Sequence, residues 1–293
     1  MQEIKNKEFT IRINWHGAEL ANIISNTTGR EYLWQADPAF WNRHSPILFP
    51  FVGRLWNDTY NYEGKSYKMS QHGFARDLGF ALVEKNDTEV YFELTSNIET
   101  LKVYPFHFTL TVGYRLTNNK IEVIWKVRNN GFEVMPFQIG AHPAFNYIDF
   151  EEEDNLKGYF AFDTKSDLIS TVIKDKGCVS LTEKKQVALD SDGLLPIITN
   201  TFAKDALVLE NEQVRKVTLL NKQKQPYITL HFDAPLVGLW SPPAKNAPFV
   251  CIEPWYGRCD SVEYNGQLQD RDWTRLLQPG DIFEASYIIE ISE

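Results

Sequence analysis

Three ionisable residues stand in stretches that are otherwise apolar: His72 in SQHGFARD, His142 in IGAHPAFN and Glu253 in PFVCIEPWYG. Glu253 follows Phe249-Val250-Cys251-Ile252 and precedes Pro254-Trp255-Tyr256. A carboxylate there is either buried with a partner or turned toward a pocket, because a lone buried charge is too costly. Taken alone, that stretch fits a buried salt bridge as well as a functional carboxylate, and each histidine fits a satisfied residue at a strand end. Together, two imidazoles and one carboxylate form an acid–base set able to take a proton from one oxygen and deliver one to another. Their separation along the chain does not count against them, since catalytic groups meet in space.

Other chemistries lack their residues. No His-x-His or His-Glu-x-x-His spacing supports a metal centre, so none is expected. No Gly-x-Ser-x-Gly turn or reactive-cysteine context supports a covalent nucleophile. Gly-rich phosphate loops are absent as well, and no cofactor is expected. Cys178, Cys251 and Cys259 have neither redox nor metal spacing and read as reduced thiols.

The elements that must position these residues read as strands. Phe106, Phe108, Leu110, Val112, Tyr114 and Leu116 alternate with polar or small neighbours, and Ile121, Val123, Trp125 and Val127 resume the pattern after Thr117-Asn118-Asn119-Lys120. Period two on both sides of an Asn-Asn turn predicts a β-hairpin with one face in a core. Shorter alternations recur at FTIRINW, EVYFELTS, KVTLLN, YITLHFD and ASYIIEIS, with Gly, Pro, Asn and Asp marking the gaps. DPAFWNRH and RDWTRLLQ are expected to make a helical turn or two each. EEEDNLKG reads as an acidic surface loop without a function. Many short strands, few helices and no Pro-rich linker predict an all-β fold, a large antiparallel β-sandwich forming one domain over residues 1–293.

Composition narrows the partners. A net charge of −9 opposes a nucleic-acid partner, which needs a dense basic face to displace counterions. No apolar run is long enough to span a bilayer, and MQEIKNKEFT carries charges where a signal peptide needs apolar residues. A cytoplasmic protein with no membrane partner is therefore expected. Aromatic residues are 14% of the chain, which suits a core and also suits the flat C–H faces of pyranoses.

In order along the chain, several segments resemble the aldose 1-epimerase family of galactose mutarotase-like proteins, and within it a LacX-type branch. VGRLWNDTYNYEGKSY resembles the family's early arginine-containing strand pair, with Arg54 and the Gly64-Lys65-x-Tyr67 turn. QHGFAR resembles its first histidine motif, and the Phe106–Val127 hairpin followed by GAHPAFN its second. FAKDALVLE resembles the segment with a ligand-binding aspartate, here Asp205. CIEPWYG resembles the segment with the catalytic glutamate, and LQPGDIFEASYIIEI the closing turn and last strand.

The resemblance implies a galactose mutarotase-like supersandwich with a sugar cleft on one sheet, and interconversion of the α and β anomers of an aldose without a cofactor. It implies Glu253 as the base on the O1 hydroxyl, His142 as the acid on the ring oxygen and His72 as a second imidazole near that oxygen. Arg54 and Asp205 become hydroxyl-holding groups. Ring opening moves one proton off a hydroxyl and puts another on an ether oxygen, so acid and base are expected to face each other across one pyranose. Glutamate at its ordinary pKa of ~4.3 is ionised at neutral pH, whereas histidine at ~6.5 needs a nearby negative charge, from Asp205 or Glu253, to stay protonated.

Free-hexose mutarotases usually show a His-Gly-Gly-type motif, whereas here Gly73-Phe74-Ala75-Arg76 follows the histidine. Arg76 resembles the hexose-6-phosphate 1-epimerase branch, where arginines clamp phosphate through their bidentate fork. Arg43 in FWNRHSPILFP is a second candidate; a surface ion pair is the alternative for both arginines, and for Arg43 it is the preferred one. The ligand is thus a free sugar or a sugar phosphate, with the oligomeric state left open. Trp240, Trp255 and Phe74 are aromatic candidates for stacking on the sugar, with core packing the alternative, and none is assigned to the site. A non-catalytic carbohydrate-binding sandwich stays as an alternative. So does a glycoside hydrolase or lyase, with Asp205 as the second carboxylate such hydrolases need.

Overall fold

In the computed structural model, which describes residues 1–293, the regular structure is almost entirely antiparallel strand. Nine strands form one sheet, in the order Leu194–Ile198, Leu156–Phe162, Lys216–Leu220, Pro226–Phe232, Ile282–Ile291, Lys120–Asn129, Phe108–Thr117, Glu89–Thr95 and Ala81–Lys85. Eight form a second sheet. Its path runs Val179–Val187, Leu168–Ile173, Leu207–Leu209, Leu236–Trp240, Phe249–Tyr256, Ile139–Ala141 and Ile47–Leu48, with Ala144–Asn146 also paired to Phe249–Tyr256. A third sheet of three strands, Gln2–Lys5, Phe9–Ile13 and Leu20–Ser25, packs its apolar residues into the same interior.

The expected hairpin is present, with Thr117 opposite Lys120 across a two-residue turn. It starts at Phe108 rather than Phe106, although Phe106 is buried all the same. Its apolar residues, from Phe108 and Leu110 through Trp125 and Val127, lie in a continuous core of 63 buried apolar residues drawn from all three of these sheets. The five shorter alternations are strands too.

Two helical expectations fail. DPAFWNRH forms turns without a helix, and in RDWTRLLQ the residues Arg275–Leu277 are a strand paired with Met135–Phe137. In the first, the Asp-Pro start signal is a turn signal as well; in the second, sheet pairing outweighs a weak local propensity. The one α-helix is Ile98–Val103, opened by Asn97, whose side chain accepts hydrogen bonds from the backbone N–H groups of Glu99 and Thr100.

Every residue of Phe249–Tyr256 is buried, because this central strand is covered on both faces. Val250, Ile252 and Tyr256 point into the main core. The alternate residues lie on the opposite face, where Phe249 and Cys251 join one small cluster and Trp255 another. Glu253 falls between those two clusters, on the face turned away from the core. The neighbouring strand repeats the division, with Val237 and Leu239 inward and Leu236 and Trp240 outward.

Candidate active site

On that outer face lies a cleft of about 310 Å³ lined by His72, His142, Asp205, Glu253, Arg76 and the indoles of Trp41, Trp240 and Trp255, among others. The volume is at the lower end of the ~300–1,000 Å³ typical of small-molecule sites. Five of the six candidate site residues thus come together. Arg54 does not line the cleft; its Nε lies 3.3 Å from Asp58 Oδ1, and its side chain sits beside Gly177 at the rim.

His142 Nε2 lies 3.2 Å from Glu253 Oε2. The two groups are side by side on the cleft floor, and the expected pyranose-sized gap between them does not exist. Nothing in the reaction requires one. O1 and the ring oxygen are both bonded to the anomeric carbon, so two neighbouring groups can reach both. The 3.2 Å approach is a contact without hydrogen-bond alignment, and Glu253 Oε2 and His142 Nδ1 have no hydrogen-bond partner although both are buried.

Burial pushes His142 down to about 3, with the Arg76 and Arg43 charges acting in the same direction. It raises Glu253 well above the usual carboxylate range, helped by the nearby negative charge of Asp205. The expected imidazolium beside a carboxylate is therefore not the preferred arrangement. A dry floor favours the uncharged forms of both groups, which tilts a proton shared by the pair toward the carboxyl.

Aromatic groups make that floor dry. Trp41 stacks on the His142 ring at 4.7 Å and 28°, and Trp240 meets it edge-on at 5.3 Å and 80°. Trp255 lies against Gly140 and Gly238, where a Cβ would come within 2.7 Å and 2.4 Å of its indole. Its N–H donates to Ala141 O at 3.2 Å. Trp240 and Trp255 are therefore cleft walls, whereas Phe74 packs into the core against Phe49 and Phe108. Trp41 escaped the sequence reading, because it stands in a segment with no alternation. A tryptophan in such a segment is itself the signal that could have found it.

His72 is held differently. Its backbone N–H donates to Gly53 O at 2.8 Å, while its ring Nδ1 accepts the Gly53 N–H at 3.0 Å. A neutral ring held this way carries its proton on Nε2 and is a donor there. Burial, with the neighbouring His142 next in weight, keeps it neutral by lowering its pKa well below the ordinary histidine value. The clamp needs His72 at φ +69°, followed by Gly73 at φ +71°. At Gly73 a Cβ would lie 2.2 Å from Phe49 O, so only glycine fits behind the histidine.

Asp205, with its Oδ1 accepting the Ala206 N–H at 2.7 Å, has a carboxyl raised by burial. Arg76 donates from Nη2 to Gln71 O at 2.6 Å, and its Nε is buried without a hydrogen-bond partner. Arg43 is paired with Asp77 at 2.8 Å and does not line the cleft.

A family model described as aldose 1-epimerase matches residues 1–275. The chain belongs to the aldose 1-epimerase family. It is 34% identical to the plasmid-encoded protein LacX of Lactococcus lactis subsp. lactis, over 99% of this chain and 98% of that protein. Among solved structures, it is similar to a galactose mutarotase related enzyme from Lactobacillus acidophilus, with 36% identity, a TM-score of 0.93 and coverage of 100% and 97% of the two chains. A galactose mutarotase-like protein from Lactobacillus casei superposes with the same TM-score at 32% identity over the whole of both chains. Family membership supports a sugar as the small-molecule partner and anomeric isomerisation as the general reaction. No helix is long and apolar enough to cross a membrane.

Proposed function

We propose that the protein is an aldose 1-epimerase in which Glu253 and His142 open and reclose the ring of a hexose. The observation that carries this reading is the 3.2 Å approach of His142 Nε2 to Glu253 Oε2 on the floor of an aromatic cleft. Glu253 takes the O1 proton as His142 delivers one to the ring oxygen, and the C1–O5 bond breaks to leave the open-chain aldehyde. Rotation about C1–C2 presents the other carbonyl face, and the same two groups run the steps backward to close the ring.

The carboxyl proton must first move to the imidazole. An O1 hydroxyl donating to Glu253 Oε2, which has no hydrogen-bond partner, supplies what a buried carboxylate lacks and favours its charged form. His72 then donates from Nε2 to the ring oxygen or an adjacent hydroxyl. Asp205 accepts from sugar hydroxyls, and Arg54 contributes from the rim. No metal, nucleotide or covalent intermediate enters these steps.

Replacing Glu253→Gln should remove most of the ~10²–10⁴-fold that a positioned proton-transfer group supplies, while sugar binding persists. Saturation-transfer NMR on α- and β-glucose and galactose reads the exchange directly. A variant as fast as the parent would mean that the base is another group.

A second reading, a preference for hexose 6-phosphates, is favoured by Arg76, a cleft-lining guanidinium whose Nε has no hydrogen-bond partner and lies 3.8 Å from Asp77 Oδ2. The same NMR panel with 6-phosphates decides between the two. Arg76→Ala should raise KM for the phosphorylated sugar far more than for the free one, and an equal effect on both would remove this reading.

A further inference from the structure

Cys251 has no part in the steps above, yet it stands two residues before Glu253 on the same face of the same strand. Its register partner, Ala144, lies two residues beyond His142. One donor atom from each of His142, Cys251 and Glu253 lies within 4.8 Å of the other two, and all three residues are buried. An imidazole nitrogen, a thiol sulfur and a carboxylate oxygen are the ligand types that zinc takes.

We infer that His142, Cys251 and Glu253 form a three-donor site for a thiophilic divalent cation of the zinc class, and that filling it switches off the acid–base pair. The second observation is the unmet bonding capacity of the group. His142 Nδ1 and Glu253 Oε2 are both buried without a hydrogen-bond partner. Glu253 is only 1% exposed and His142 7%, so solvent does not satisfy them.

Around a tetrahedral zinc, N, O and S donors lie roughly 3.3–3.8 Å from one another, so the group must contract by about 1 Å. Cys251, the deepest of the three, pairs with Trp240 on the neighbouring strand. Access is therefore from the cleft, beside the His142 ring. On binding, the S–H bond breaks as the sulfur–metal bond forms, the carboxyl O–H of Glu253 is replaced by an oxygen–metal bond, and both protons pass to solvent. No electron is transferred.

That the cation binds is independent of the proposed function; that binding inhibits rests on it. The test is titration of the protein with CoCl2, followed by the near-ultraviolet thiolate-to-cobalt band and by competition with ZnCl2. One equivalent should produce the band in the parent protein. It should survive Cys178→Ser and Cys259→Ser, and be lost or weakened ~10-fold or more in affinity in Cys251→Ser and Cys251→Ala, at least the range seen when a ligand's supporting residue is removed. No stoichiometric band in the parent overturns the inference, as does a band that follows Cys178 or Cys259. Anomer exchange should fall as zinc binds and return with EDTA. A band tied to Cys251 without inhibition would leave the metal site standing and refute the acid–base assignment.

Discussion

At the scale of single residues, the unusual feature is a histidine and a glutamate pressed together in a dry floor. In the proposed reaction, ring opening and reclosure need one proton on the pair, whichever member holds it. The proposed anomer exchange should therefore fall in acid only when a second proton is added, near the His142 value of about 3, and fall in alkali when the carboxyl loses its proton at its raised value. On lowering the pH through 6.5, kcat/KM for anomer exchange should stay flat, and a midpoint near 6.5 would contradict the burial argument. Trp41→Ala opens the His142 ring to water, because the indole stacked on it at 4.7 Å is removed. Its pKa should then rise toward the ordinary value, and an acid limb should appear in the pH profile between about 4 and 6.5. An unchanged profile in that variant would mean that another wall supplies the desolvation.

At the scale of elements, the site depends on strands that are buried on both faces. Phe249–Tyr256 sends alternate side chains to the core and to the cleft, so a change of register by one residue would bury Glu253 in the core. The His72 turn depends on one position in the same way. Gly73→Ala places a methyl group 2.2 Å from Phe49 O at a φ of +71°. The left-handed conformation alone costs ~1–2 kcal/mol for a non-glycine residue, and the clash adds to it. Urea denaturation should show a loss of more than ~2 kcal/mol, and the folded fraction should have impaired kcat because His72 is displaced. A stable, fully active variant would show that the turn has room the close approach denies.

At the scale of the whole molecule, one continuous core joins the two large sheets and the N-terminal three-stranded sheet. Trp125 lies fully buried in it, tilted against Tyr287 at 5.4 Å and edge-on to Tyr256 at 6.4 Å. Trp125→Ala should cost ~3–5 kcal/mol, through lost burial and a cavity that cannot fully collapse. Fluorescence and far-ultraviolet circular dichroism should follow a single transition in both proteins, shifted to lower urea in the variant, with sugar binding by the folded protein little changed. Two separated transitions would divide the chain into more than one folding unit.

Much of the architecture was legible in the chain, because strand alternation is a local property: Phe108–Thr117 and Lys120–Asn129 declare a hairpin whatever surrounds them. The residue types able to move protons were legible too, since a glutamate after four apolar residues and a histidine before a proline stand out from their neighbours. Distance and hydration were not legible. That His142 touches Glu253, that Trp41 covers the imidazole, that Arg54 turns to the rim and that Cys251 completes a donor set follow from how distant segments pair and pack. Protonation belongs to the same class. The reference value of a histidine is a property of its side chain, but its value here is decided by how completely the fold excludes water from the ring.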